Sequence, residues 1–320
     1  CIRDRAGVAV RCGCQVRSAL SEGDGAVIEL ASGPLSVDHV VVAAGVNPRT
    51  DLARAAGLAV GERGGLVVDA NLRTSDPDIL AAGDCIELMN HVSGELCLVP
   101  LGSLASRQGR VVGDVLAGRD TEFPAVTGSA AVKVLETNVA ATGLSETAAR
   151  RTGYEPAVAW GAFGDRTHFF PEHERLYLKL VYERDGDRLL GLQAVGRGDA
   201  VKRVDVFASL LRQDADLADL LDVETCYSPP YNAPLDPLQG LAAAALNARE
   251  TGLGQLPPHA ETGGWFVLDV RTATESAASD PPPPPGTLNI PLEELRQRVD
   301  ELPSGQPLLI FCAKGPRSFE

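Results

Sequence analysis

Three absences bound what this sequence encodes. No G-x-G-x-x-G run occurs anywhere along the 320 residues. That excludes, within the chain itself, the glycine loop that holds a pyrophosphate against a helix amino terminus; such a loop is expected in a region amino-terminal to it. No apolar run approaches the roughly 20 residues that a bilayer crossing needs, and no signal peptide opens the chain, so no membrane role is expected. Positive charge is in short supply: 29 Lys and Arg stand against 43 Asp and Glu, a formal net charge of −14. A field of that sign disfavours nucleic acid and other polyanions and fits a soluble, acidic, cytoplasmic protein.

Cysteine is irregular rather than patterned. The seven cysteines are an odd number. Cys12-Gly-Cys14 is too tight for a zinc knuckle, which wants about two to four residues between ligands, and no metal site is expected. Scattered thiols read as inert groups in a reducing compartment. The chain opens on Cys1 rather than methionine and closes on Phe319-Glu320, just after a motif expected to open a helix. It reads as an internal piece of a longer protein.

What is present is a chain long enough, with 44% hydrophobic residues, to bury more than one core. About two or three domains are expected. The organising stretch runs from Leu72 to Cys85. A turn, Thr74-Ser-Asp-Pro77, feeds a short apolar strand, Ile79 to Ala82, which stops at Gly83 and Asp84. Ligands of open α/β sheets bind beyond the carboxyl ends of strands. Gly83 has no Cβ to keep a ligand away, and Asp84 offers two acceptor oxygens to hydroxyl groups. An ordinary strand, glycine and capping aspartate is the other reading of these residues. Two further runs add to the stretch: Val40-Val-Val-Ala-Ala-Gly45-Val-Asn-Pro48 upstream and Val99-Pro-Leu101-Gly102-Ser103 to Arg110 downstream.

Together the three resemble the carboxyl-terminal half of the FAD domain in the pyridine nucleotide-disulfide oxidoreductases. The resemblance implies FAD, with Asp84 on its ribityl chain and Gly45 and Gly83 at the site. The amino end of the next helix, at Leu101, Gly102 and Ser103, would face the flavin ring. NAD(P)H would be the reductant.

Before this stretch, Val8 to Val10, Gln15 to Leu20 and Ala26 to Leu30 are strand candidates. Glu22-Gly-Asp-Gly25 supplies a turn, and a strand Val37 to Ala43 follows. By resemblance, residues 1–40 are the tail of an NAD(P)H domain and 41–124 the half-domain for FAD. Within the latter, Asp51 to Ala56 is a helix stopped by Gly57, and Leu66 to Asp69 is a strand. Leu104, Val111, Val112 and Val115 stripe a helix from Ser103 to Leu116.

Residues 125–249 read as an α+β unit. Strands are expected at Ala130–Leu135, Val139–Thr142, Ala157–Phe163, Leu176–Tyr182 and Leu189–Ala194. Asp185-Gly-Asp187 is a hairpin turn. Ser145 caps a helix Glu146–Arg151 closed by Gly153. Further helices are expected at Ala200–Arg212, Leu217–Leu221 and Leu238–Arg249, with Trp160 in the core. A mixed sheet with helices on one side resembles the interface domain that makes the family dimeric, which implies a homodimer. Cys226-Tyr227-Ser-Pro-Pro-Tyr231 is a stiff loop, because two prolines in series prevent a helix. Its tyrosines either pack on a neighbour or do chemistry. The segment is similar to the Tyr-x-Pro-Pro-Tyr/Phe of coenzyme A-disulfide reductases and related NADH oxidases, which reaches toward the partner subunit's flavin. That implies Tyr227 and Tyr231 as donors to a leaving thiolate or as groups that orient substrate; Cys226 reads as structural.

After a linker at 250–262, residues 263–320 carry a second signal. Trp265 to Arg271 is a strand ending in Asp-Val-Arg, Pro281 to Pro285 a stiff loop, Asn289-Ile-Pro-Leu a lead into a helix Glu293–Glu301. Leu308 to Phe311 is a strand ending at Cys312-Ala-Lys314-Gly-Pro-Arg317-Ser318. A buried cysteine on a strand edge is one reading. The set resembles a rhodanese domain, truncated here. That resemblance implies Cys312 as a persulfide carrier, its thiolate cradled by backbone N–H groups and supported by Lys314 and Arg317. The usual Gly-His-Ile-Pro-Gly-Ala is replaced by five prolines and Gly286-Thr287, and the helix after the cysteine loop is expected to be missing.

The fold class is therefore α/β: a partial FAD/NAD(P)-binding Rossmann-like domain, an α+β dimerisation domain and a truncated α/β rhodanese-like domain. Their order is that of the coenzyme A-disulfide reductases fused to rhodanese, which include polysulfide and persulfide reductases. This implies reduction of coenzyme A disulfide, coenzyme A persulfide or polysulfide, with sulfane sulfur on Cys312. The alternatives are an NADH oxidase with a rhodanese tail and a sulfurtransferase module on a dimer scaffold. None of Cys1, Cys12 or Cys14 is assigned as the redox cysteine, so little reductase activity is expected of this stretch alone.

Overall fold

The computed structural model describes residues 7–256, 263–279, 282–313 and 316–319. The chain forms two compact units, Cys1–Pro48 and Arg49–Glu320. In the first, β1 (Val16–Glu22), β2 (Gly25–Leu30) and β3 (Gly33–Val37) make an antiparallel meander in that order. Glu22 pairs with Gly25 across the expected turn. The other two strand expectations fail. Residues 8–10 form no strand, and the run after β3 leaves Val41 and Val42 89% and 84% exposed. A strand needs a hydrogen-bonded neighbour, and among the described residues nothing pairs with either segment.

The second unit has three hydrophobic clusters. The first gathers Leu66, Leu72, Ile86, Leu88, Val111, Val115, Phe123 and Val126. Helix α1 (Asp51–Ala55) and a small hairpin of β4 (Leu88–Met89) and β5 (Leu96–Cys97) belong to this region. Helix α2 (Gly102–Leu116) packs its Val111 and Val115 inward. The expected strands Leu66–Asp69 and Ile79–Ala82 shrink to isolated bridges, Leu66 with Val60 and Ile86, and Leu80 with Arg73. A turn between them is the cause. Leu72 is buried at φ 64, and Asp69 accepts from the N–H groups of both Leu72 and Arg73.

The largest cluster lies around a five-stranded sheet in the order β6 (Ala130–Val134), β7 (Thr137–Gly143), β10 (Leu189–Gly196), β9 (Arg175–Glu183), β8 (Pro156–Gly164). Every pairing is antiparallel, which corrects the expectation of a mixed sheet. Parallel neighbours need a crossover of a dozen or so residues, whereas β9 and β10 meet through the tight Asp185-Gly-Asp187 turn, with Asp187 at φ 58. Helix α3 (Glu146–Arg151) starts where Ser145 Oγ accepts from the Ala148 N–H. Helix α4 (Ala200–Leu211) buries Ala200, Val204, Phe207 and Leu211, one helical stripe, against β7 and β10. Short α5 (Leu217–Leu221) packs on α6 (Pro237–Thr251), which covers β8. Asp236 caps α6, Pro237 occupies its first turn and Gly252 ends it at φ 70. Trp160 is not a core residue. It is half-buried on β8, an edge strand, with the Lys179 ammonium 4.5 Å from its ring centroid.

Gln255, in the expected linker, docks on that edge. Its side chain accepts from the Trp160 backbone N–H at 2.6 Å and donates to the Trp160 carbonyl at 3.3 Å. The rest of the linker, residues 257–262, lies outside the described residues. The third cluster, Leu268, Val270 and Ile290, serves a parallel sheet of β12 (Leu288–Asn289), β11 (Phe266–Asp269) and β13 (Leu308–Phe311) in that order. Helix α7 (Ala273–Ala277) follows β11. The expected helix Glu293–Glu301 is two shorter pieces, α8 (Leu292–Leu295) and a 3-10 turn at Val299–Glu301. A single helical turn, α9 (Pro316–Phe319), stands after the cysteine loop, where none was expected. Pro281 and Lys314 lie outside the described residues. No described helix is long and apolar enough to cross a membrane.

The sheet rests on close backbone approach at Gly143, whose φ is 70 and whose added Cβ would meet the Leu190 carbonyl oxygen at 2.3 Å. Gly128 has nearly the same φ, 72, with nothing within 4 Å. Gly128→Ala is expected to cost about 1 kcal/mol, from backbone strain alone. Gly143→Ala should cost at least about 2 kcal/mol more, because backbone must move as well. Urea denaturation of the two variants checks this; equal losses would mean that crowding at Gly143 is immaterial.

Candidate active site

Three clusters of candidate side chains emerge. The first is the turn at Gly83 and Asp84. Gly83 adopts φ 88, a left-handed conformation that side chains resist. Its N–H donates to Gln108 Oε1 at 2.5 Å. Gln108 is buried on α2, and Ala105 Cβ is the nearest atom to a Cβ built on Gly83, at 4.0 Å. The helix therefore pins the turn beside its own amino end. Sequence reasoning missed Gln108. Its signal was there: it sits among Leu104, Val111 and Val115 on an apolar stripe, and a polar group on such a face needs a partner.

Asp84 is exposed, as are Gly102 and Ser103. The cap position of α2 is Leu101, with extended backbone and no side-chain hydrogen bond to the first turn. Uncapped amides carry the positive end of the helix dipole and favour an anionic or carbonyl oxygen. The turn, the carboxylate and the open helix end thus suit a ligand that combines hydroxyl groups with a polar ring edge, and FAD fits that description. Asp84 would take the hydroxyls, and Leu101, Gly102 and Ser103 the ring. Gly45, at φ 91 and exposed, belongs to the amino-terminal unit.

The second cluster is the loop at Cys226–Tyr231. It contains no helix, and the Tyr231 N–H closes a turn on the Ser228 carbonyl at 2.8 Å. Tyr227 and Tyr231 are 53% and 68% exposed. Directly after them, Asn232 is fully buried, a second residue that sequence reasoning passed over.

The third cluster surrounds Cys312, half-buried just past the end of β13. At the end of the neighbouring strand β11, Arg271 grips Asp269 through hydrogen bonds of 2.7 to 3.0 Å. The guanidinium lies 5.1 Å from the Phe311 ring centroid. Asn289 ties the pair together by donating to the carbonyls of Asp269 and Arg271, both at 2.9 Å. Burial pushes the Asp269 carboxyl up, but the Arg271 hydrogen bonds prevail and hold it below the usual carboxylate range. Arg317 makes a two-pronged ion pair with Glu275, at 2.7 and 2.9 Å. Glu275 also closes a capping box with Thr272. The Arg317 charge is stabilised first by Glu275, and Cys312 adds to the effect. A cation in electrostatic reach of a thiol favours its thiolate. Lys314, expected to share this role, lies outside the described residues.

With this geometry in view, relatives give the family. Residues 2–101 match the model for "Pyridine nucleotide-disulphide oxidoreductase", and residues 129–236 match that for its dimerisation domain. The NAD(P)H sulfur oxidoreductase (CoA-dependent) of Pyrococcus abyssi is 34% identical over 66% of this chain and 47% of its own length. An NADH oxidase of Methanocaldococcus jannaschii is 31% identical over 66% of this chain and 46% of its own. The structure of an NAD-dependent persulfide reductase from A. fulgidus superposes with a TM-score of 0.92 at 33% identity, over 99% of this chain and 58% of that one. The chain spans about half the length of the curated relatives it matches. It belongs to the pyridine nucleotide-disulphide oxidoreductases.

The Glu275–Arg317 pair yields a pH test. Arg317 first, then the Thr272 N–H, draws the Glu275 pKa down to about 2, below the roughly 4.3 of an ordinary glutamate. A carboxyl depressed in the folded state stabilises above its unfolded pKa and loses that contribution as pH falls through the folded value. The bridge is therefore intact above about pH 4.3 and gone below about 2. A carbon-detected NMR titration should place Glu275 at about 2, and Arg317→Gln should bring it back toward 4.3. Titration near 4.3 with Arg317 present would show that the bridge does not form in solution.

Proposed function

We propose that this chain is part of an FAD-dependent homodimeric enzyme that uses NAD(P)H to reduce coenzyme A disulfide, coenzyme A persulfide or polysulfide. Its carboxyl-terminal region is proposed as a rhodanese-like domain that carries sulfane sulfur on Cys312. The observation that carries this reading is the setting of Cys312. The thiol stands at the end of a parallel strand, within reach of the Arg317 charge. It shares its chain with a glycine-aspartate turn beside an uncapped helix end. Likeness to a persulfide reductase over 99% of the chain supports reading all these parts as one enzyme.

Bound FAD would relay two electrons from the nicotinamide to a sulfur–sulfur bond. Reduction of a disulfide consumes one NAD(P)H and one proton, breaks the S–S bond and releases two thiols. A persulfide gives one thiol and hydrogen sulfide at the same cost. Asp84 would accept from ligand hydroxyls, and the first turn of α2 would favour charge on the ring edge. Tyr227 and Tyr231 would donate their phenol protons toward the departing thiolate, across the dimer. Transfer to Cys312 is redox-neutral: its thiolate attacks the outer sulfur of a persulfide, the donor's S–S bond breaks and a thiolate leaves.

An NADH oxidase is the second reading, and the 31% identical relative from M. jannaschii favours it. A sulfur-carrying thiol has no part in reducing oxygen, which weighs against that reading. A sulfurtransferase on a dimer scaffold would need neither Asp84 nor the open helix end.

The test uses the full-length gene product. It is expected to be yellow, and to oxidise NADH or NADPH with coenzyme A disulfide or polysulfide faster than with oxygen. Cys312→Ser should slow the persulfide or polysulfide reaction at least tenfold and leave coenzyme A disulfide untouched. Turnover with oxygen alone would instead make it an oxidase, and a colourless protein active on thiosulfate a sulfurtransferase. Separately, Asp84→Ala should lower flavin content by half or more, read as the ratio of visible to ultraviolet absorbance in the purified protein.

A further inference from the structure

A buried polar cluster stands behind the tyrosine loop. Arg203, on α4, is 1% exposed, Asn232 0% and Asp236 2%. Arg203 Nη2 donates to Asn232 Oδ1 at 2.7 Å and to the Asp165 carbonyl at 2.8 Å, and Nη1 donates to the Asp199 carbonyl at 3.0 Å. The Asp236 carboxylate supplies the countercharge at 3.3 Å. Replacing such a buried pair with apolar residues often leaves stability unchanged or improved. What the pair secures is a single geometry, and here the geometry is that of Asn232.

Asn232 uses every polar atom it has. Its Oδ1 accepts from Arg203 and from the Ala233 N–H. Its Nδ2 donates to Asp236 Oδ2 at 2.8 Å and to Thr225 Oγ1 at 3.0 Å. Its carbonyl accepts from Thr167 Oγ1 at 3.1 Å, and its N–H donates to the Ser228 carbonyl at 3.1 Å. One of these bonds matters most. Thr225 lies just before the loop and Asn232 just after it, so the Thr225–Asn232 bond clamps the two ends of residues 226–231 together. Gln239 holds the approach as well, donating to the carbonyls of Leu221 and Val223, both at 3.2 Å. Pro229 and Pro230 stiffen what lies between. The backbone that carries Tyr227 and Tyr231 is thus held in advance, though more than half of each residue is exposed. Ordering paid for by the fold need not be supplied by the substrate or the transition state.

We infer that Asn232, seated by Arg203 and Asp236, is a positioning residue for Tyr227 and Tyr231, and that its bond to Thr225 is the latch. The inference rests on the reading above that these tyrosines meet the substrate.

The test is kinetic, on the full-length holoenzyme, with whichever of coenzyme A disulfide and polysulfide it turns over faster. Thr225→Val keeps the side-chain shape and removes the acceptor. It is expected to lower kcat about tenfold, the worth of one such hydrogen bond, with flavin content and the KM for NADH unchanged. Thr225→Ser keeps the hydroxyl and should remain within twofold of the parent. The decisive arm repeats Thr225→Val in a Tyr227→Phe, Tyr231→Phe background, where no further loss is expected. The same tenfold loss in both backgrounds, or none in the parent, would overturn the clamp while leaving the tyrosines their role. Full activity of the Tyr227→Phe, Tyr231→Phe enzyme would remove the tyrosines from the proposed function, and the clamp with them. A flavoprotein that turns over neither sulfur substrate overturns both.

Discussion

Close approach of backbone to backbone around Gly143 and Gly191 is the constraint on which the five-stranded sheet depends. A Cβ on Gly191 would lie 2.1 Å from the Leu144 carbonyl oxygen, as one on Gly143 would crowd Leu190. These glycines let β7 and β10 pair without a gap at their ends, Gly143 opposite Gly191. The paired strands make the floor on which α4 lies, with Phe207 and Leu211 pressed into it. Arg203 is carried on the same helix. The buried polar cluster therefore inherits its place from hydrophobic packing, which is strong but unspecific, and turns it into a defined loop geometry through directional hydrogen bonds.

Much of this was legible in the residues. Strands β6 to β10 and helices α3 to α6 follow from alternating or helical hydrophobic patterns, and Ser145 and Gly153 close α3 for local reasons. Strand β13 and the helix at Gly102–Leu116 came out almost residue for residue. The expected strand Ile79–Ala82 has a neighbour in Arg73 and is cut short by the turn at Leu72. Val8–Val10 and residues 38–43 are apolar enough to be strands, but a strand is completed by a neighbour, and neighbours are not written in the segment itself. The mixed sheet was misread for the same reason, since pairing direction is a property of two strands.

Gly83, Asp84, the Leu101–Ser103 helix end, the two tyrosines, Cys312 and Arg317, the proposed site residues, stand out in the sequence through the motifs that carry the family resemblance. The residues that hold them do not. Gln108 is 25 residues from Gly83, Asn232 is 29 from Arg203, and Glu275 is 42 from Arg317. Supporting contacts of this kind are fixed by tertiary packing, and only a polar residue on an apolar stripe, as at Gln108, betrays one beforehand. The Arg317 charge is also shared, since Glu275 takes two of its N–H groups. What reaches Cys312 is the residual field of a neutralised pair.

Gln255 has a consequence beyond holding the linker. Strand β8 ends the five-stranded sheet, and an edge strand is an open template for a stranger's backbone. By matching both the N–H and the carbonyl of Trp160, the Gln255 amide imitates one residue of a sixth strand. The β8 edge is thus satisfied at its midpoint, where an intruding strand would need continuous bonding.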